Sequence, residues 1–182
     1  MSKKILKQNN AQIWIETVIY ILIGLTTISI LLSMVLPQIE KMKDKSTVEQ
    51  TITALNVINN KILDASDSSG SIRIVEFKMN RGKLTIDTEN NQIKYVLENT
   101  RLESSEVGQK IKQGDLTLET QANGKRFDVI LSLNYTDKFI MTYNRENKNK
   151  IIQGSTNVYK IQIENIKYNE AKQKTEIDFN IV

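Results

Sequence analysis

The sequence predicts an α+β fold: a long N-terminal helix, made of a membrane span continuing into an amphipathic helix, followed by an antiparallel β-sandwich-like domain. Three observations carry this reading. Residues 17–36 form a run of twenty positions without a charge. Residues 38–64 place apolar side chains at three- and four-residue spacing, the period of one helix face. From residue 71 onward the pattern changes to the alternation of half-buried strands, punctuated by turn residues.

The chain opens with a basic head, residues 1–11, in which Lys3, Lys4 and Lys7 meet no acid. The span follows over residues 13–36. About twenty apolar residues in a helix reach ~30 Å, the thickness of a bilayer's hydrocarbon core, so this run is long enough to cross. Trp14 and Tyr20 suit an interfacial aromatic anchor or a helix contact. Ser29 and Ser33, with Gly24, Thr26 and Thr27, offer positions where another helix can approach closely.

Pro37 removes one helical hydrogen bond, and the expectation is a kink in a helix that carries on. Beyond it Ile39, Met42, Val48, Ile52, Leu55, Ile58 and Ile62 mark one stripe. Glu40, Lys41, Lys43, Asp44, Lys45, Glu49 and Gln50 fill the solvated faces. Residues 12–64 then make a single helix about 80 Å long, which needs a partner along its stripe. The turn cluster Asp67-Ser68-Ser69-Gly70 stops it. Asp64 and Asp67 belong to that turn, since their spacing lacks the alternating ligands of a calcium loop.

The β-rich domain is expected over residues 66–182. Segments 71–79 and 84–87, joined by Asn80-Arg81-Gly82-Lys83, read as a hairpin, and 92–97 adds a strand. Segments 115–120 and 127–135 flank Asn123-Gly124, a strong hairpin signal. Segments 139–143, 158–165 and 175–182 complete the set. The polar stretch 144–150 reads as a solvated surface loop.

Composition narrows the function. The chain has no Cys and no His, which removes disulfides, thiolate nucleophiles, the usual general base and the commonest metal ligand. There is no Gly-rich phosphate loop either. The reading is therefore not an enzyme, with no cofactor and no metal. Of the formal charge of +4, three units lie in the first eleven residues, so the basic balance is not a nucleic-acid signal and no nucleic-acid partner is expected.

A basic head, a small residue, then Gln12 and, at the fifth position, Glu16 at the mouth of the apolar run resembles the class III signal peptide of type IV pilins, especially archaeal pilin-like proteins. The resemblance covers residues 3–64. The chain departs from that family in carrying Asn10 where Lys or Arg is usual and Ala11 in place of the commoner Gly. The resemblance implies a prepilin peptidase that cuts between Ala11 and Gln12, leaving Glu16 as the fifth residue of the mature chain. It also implies a short cytoplasmic head and an external C-terminal domain. The partners it implies are the membrane, the prepilin peptidase and copies of itself or related pilin-like subunits.

A carboxylate at the edge of hydrocarbon is costly unless neutralised, paired or held at the interface. Cleavage would create a cationic amine at Gln12, and Glu16 pairing with it would lock the register between neighbouring subunits. A place in the headgroup region near a helix N-terminus would also accommodate Glu16. Asn134-Tyr135-Thr136 is the only N-glycosylation sequon, making Asn134 a possible modification site. Two functions follow as expectations. One is a pilin-like subunit that assembles into a cell-surface filament by helix packing. The other is a single-span anchored binding or adhesion protein, or a minor pseudopilin, that does not form filaments by itself.

Overall fold

The computed structural model describes the backbone of residues 3–182 and the side chains of residues 13–182. One helix, α1 (Lys3–Ser66), is followed by ten strands. The chain divides into two compact units at the Met42/Lys43 junction. The first unit is entirely helical where described. Its helix continues through Pro37, so the chain carries on past the proline as helix, as expected.

The second unit begins with the last turns of α1. Here Asp44, Val48, Thr51, Leu55, Ile58, Ile62 and Ala65 are buried at an alternating four-three spacing that keeps one seam facing the core, and Asn59 is buried beside Ile58. The expected stripe is present in Val48, Leu55, Ile58 and Ile62. Ile39 and Met42 depart from it, Met42 being 70% exposed. Asp44, assigned above to a solvated face, is instead 2% exposed. The physical reason is that hydrogen-bond donors from two loops meet its carboxylate, as described below.

The strands are β1 (Ile72–Lys78), β2 (Lys83–Asp87), β3 (Gln92–Thr100), β4 (Lys110–Gln113), β5 (Leu116–Asn123), β6 (Arg126–Asn134), β7 (Phe139–Tyr143), β8 (Lys150–Gln153), β9 (Val158–Asn169) and β10 (Lys174–Ile181). They form a four-stranded sheet, β1-β9-β10-β7, and a six-stranded sheet, β4-β5-β6-β3-β2-β8. Inward residues of both sheets, among them Phe77, Ile163 and Phe179 on one and Leu84, Tyr95 and Leu131 on the other, join the helix seam in one hydrophobic core. Full burial of each Leu or Ile contributes about 1.5–3 kcal/mol relative to exposure. All ladders are antiparallel except β7 with β10, which run parallel.

The β5–β6 hairpin forms as expected, with Asn123 opposite Arg126 and Gly124 at φ 62°, the positive φ that a type II′ turn needs at its first central position. The expected hairpin between 71–79 and 84–87 does not form. β1 pairs with β9, while β2 pairs with β3 and β8. The connecting turn is held between sheets: the Ser155 N–H donates to the Met79 carbonyl and the Gly154 N–H to the Gly82 carbonyl. A Cβ on Gly82, whose φ is 85°, would lie 2.5 Å from the Tyr95 hydroxyl oxygen, so only glycine fits this crossing.

Candidate functional site

The most distinctive surface is that of α1 before the domain. From Ile13 to Leu36 every side chain is exposed except Val18, which is half-buried. Apolar residues dominate, and the helix is long and apolar enough to cross a membrane. Its threonine and serine hydroxyls are satisfied internally. Thr17, Thr26, Thr27 and Ser29 donate to the carbonyl four residues earlier, and Ser33 to Ile30, at 2.7–2.9 Å. In hydrocarbon each polar group must find its partner within the protein, and these side chains do so on their own helix. These threonines and serines therefore leave little unmet hydrogen-bonding demand for lipid or a neighbouring helix to meet.

Glu16 lies on this exposed surface, one turn from the start of the described side chains. Ala11 and Gln12 fall within the backbone of α1, and their side chains lie outside the described residues. The structure therefore places Glu16 at the head of the apolar surface and does not describe the side chains at the expected cleavage junction. Asn134 is exposed at the end of β6; its Oδ1 accepts the Thr136 N–H at 2.8 Å, and the Thr136 hydroxyl donates to the Asn90 carbonyl at 2.9 Å. Its amide side is thus on a structured, accessible turn. Among the described residues, no three carboxylates gather to hold a metal ion.

Three buried polar contacts fasten the helix to the β domain. Asp44 is the first. Its Oδ2 accepts the Thr100 hydroxyl at 2.6 Å and the Arg101 N–H at 2.9 Å, and its Oδ1 accepts Arg81 at 2.5 Å. Burial alone raises the Asp44 pKa, but the hydrogen bonds from Thr100, Arg101 and Arg81 and the Arg81 charge together outweigh it and hold the carboxyl below its usual range. Arg81 is positioned in turn by its backbone: its carbonyl accepts the Tyr95 hydroxyl at 2.8 Å, and Gly154 packs so closely that a Cβ there would lie 2.7 Å from Arg81 Cα.

At mid-helix the Tyr135 hydroxyl donates to Asn59 Oδ1 at 2.8 Å, and Asn59 Nδ2 donates to Asp115 at 3.0 Å. Burial pushes the Tyr135 phenol well above its ordinary range, with a smaller contribution from the Asp115 charge. The helix C-terminus is closed from β9, where Asn165 Nδ2 donates to the carbonyls of Ala65 and Ser66, both at 3.1 Å. Ser71 adds a hydroxyl to the Ala65 carbonyl at 2.6 Å. The orphan carbonyls of a helix end need such donors when buried.

Sequence reasoning did not find Asp44, Asn59 or Asn165. The one available signal lay in the spacing: Asp44 and Thr51 continue the Val48, Leu55, Ile58 and Ile62 seam in register, which is where a polar residue is expected to be buried with a partner. No protein-family model matches the chain, and the comparisons with curated proteins and with solved structures return no match.

Proposed function

We propose that the chain is a type IV pilin-like structural subunit, which is trimmed before Gln12 and assembles into a cell-surface filament by helix packing. The observation that best supports this reading is the double use of one helix. α1 is apolar and exposed over residues 13–36 and becomes a core element of the β domain over its last part, with no break in helical structure from Lys3 to Ser66. A tether needs only to cross the bilayer; a helix that is both a packing surface and a piece of the domain suits an assembling subunit. The leader-like head and the position of Glu16 support the same reading through their resemblance to the pilin family.

In this reading Glu16 pairs with the new amine of Gln12 on a neighbouring subunit, because either charge left alone at the edge of hydrocarbon costs several kcal/mol. Mass spectrometry of the native membrane protein is expected to find a mature chain beginning at Gln12. Glu16→Ala is expected to insert normally and to lower the yield of sheared filaments by at least about tenfold, a loss of ~1.4 kcal/mol or more per contact. Normal filament yield from that variant, or an intact head on the mature protein, would overturn the proposal in favour of a single-span anchored binding protein.

A further inference from the structure

The β domain has a groove of about 510 Å³ at the β7 edge of its four-stranded sheet, within the ~300–1,000 Å³ of ordinary ligand sites. Thr88 and Glu89 in its wall follow directly after β2, which runs from the Arg81 turn to Asp87. The groove is therefore separated from the Asp44 clamp by the length of that strand. Half-buried Ile140 contributes apolar surface, Met141 beside it being buried in the core, and Glu89, Asn147 and Lys172 bring exposed polar groups.

The loops around it are unusual in this chain. Segments 88–91, 144–149 and 170–173 contain no glycine, yet Asn91, Asn144, Arg145 and Gln173 adopt φ of 48°, 51°, 63° and 51°. Left-handed backbone costs an L-residue about 1–2 kcal/mol, less for Asn. Elsewhere Gly70, Gly82, Gly108, Gly114 and Gly124 take positive φ, with Asn99 the one other non-glycine among the described residues. Around the groove the chain accepts strain and keeps side chains.

These loops are also pinned from behind. Asn149 Oδ1 accepts both the Thr88 N–H and its hydroxyl. Buried Asp178 accepts the Arg145 N–H at 2.7 Å and the Thr142 hydroxyl at 2.6 Å. Asn91 Oδ1 accepts the Met141 N–H at 2.7 Å. A site held this way loses little freedom when a ligand binds.

The same contacts indicate what the groove takes. β7 is an edge strand, but the Phe139 N–H is donated to Tyr135, the Met141 N–H to Asn91, and Tyr143 exchanges hydrogen bonds with Glu146 in both directions. A peptide adding as a further strand would find these backbone groups occupied. Two lysines, Lys172 and Lys174, are balanced by Glu89 and Glu176, so no net charge selects an ion. The Asn147 amide, the Glu89 and Glu176 carboxylates and the Lys172 and Lys174 ammonium groups beside Ile140 match a ligand with many hydroxyls and a C–H face.

We propose that this groove binds a short segment of neutral saccharide. The proposal rests on the β domain being displayed outside the cell and not on filament formation. The test is saturation-transfer NMR on the full-length chain in detergent micelles, using a panel of neutral oligosaccharides of glucose, mannose, galactose and N-acetylglucosamine. At least one is expected to bind, and Asn147→Ala and Glu89→Gln, both exposed positions, are expected to weaken it about tenfold without moving the thermal midpoint. Glu16→Ala is expected to leave binding unchanged, which separates this result from the filament assay. The proposal is overturned by no binding across the panel, by equal binding in the groove variants, or by binding confined to charged polymers and abolished by salt.

Discussion

Replacing Asp44 tests whether the helix is fastened to the β domain by a carboxylate. In Asp44→Ala the Thr100 hydroxyl and the Arg101 N–H lose their acceptor in a place where Thr100 is fully buried. Each buried donor left unsatisfied costs about 1–3 kcal/mol. Arg81, with a side chain 49% exposed, can turn to water and adds little. The expected loss is about 4 kcal/mol, from the two donors of Thr100 and Arg101. Asp44→Asn keeps one acceptor oxygen and gives up the charge, so about 2 kcal/mol is expected.

For a chain of this length ~1 kcal/mol moves the thermal midpoint by about 2–4 °C, so the alanine variant is expected to melt roughly 8–16 °C lower. Circular dichroism of the full chain in micelles reads this directly. The acid limb gives a second reading. Because the folded carboxyl titrates below its unfolded value of 3.8, its contribution is complete above that pH and is lost as pH falls through the lower, folded value. Wild type should lose stability in that window more steeply than Asp44→Asn. A midpoint within about 2 °C of wild type for Asp44→Ala would refute the reasoning, because it would mean that the donors of Thr100 and Arg101 are met by something other than this carboxylate.

Two further outcomes follow from the same contacts. Gly82→Ala forces an L-residue to φ 85° against the Tyr95 ring, at a cost of about 2–4 kcal/mol from backbone strain and overpacking, seen as a lower urea midpoint with an unchanged slope. Tyr135 is held neutral by burial, with its folded pKa raised. Its stabilisation is therefore present below the unfolded value of about 10 and is lost as pH rises above it; Tyr135→Phe should flatten this alkaline loss in a pH-dependent melting series.

The long helix was legible because its two halves carry strong, different signals: twenty uncharged residues, then an apolar seam at helical spacing. Asn123-Gly124 likewise announced its hairpin, since its glycine supplies the positive φ that the turn requires. Asn80-Arg81-Gly82-Lys83 carries a similar local signal but a different outcome, because its destination is set by Gly154, Ser155 and Asp44, far away in sequence. Asp44 itself was hidden for the same reason. A charge on an amphipathic helix belongs in water by default, and its partners stand 37 and 56 residues away. β4 and β8 are four residues each, too short for a period of two to stand out. The groove was invisible because its strain is a property of φ, while its loops read as ordinary polar connections.

Single-span proteins are confined to two dimensions, where neighbouring domains meet far more often than in solution. An open, apolar strand edge under such crowding would pair with its counterpart on the next chain and spread as a sheet. β7, Phe-Ile-Met-Thr-Tyr, is such an edge by composition, and it carries no lysine to repel a copy. Its hydrogen bonds to Tyr135 and Asn91 and its exchange with Glu146 close it instead, while β4 is guarded by Lys110 and Lys112. A copy of this domain brought alongside would thus find the β7 backbone already hydrogen-bonded and β4 flanked by positive charge.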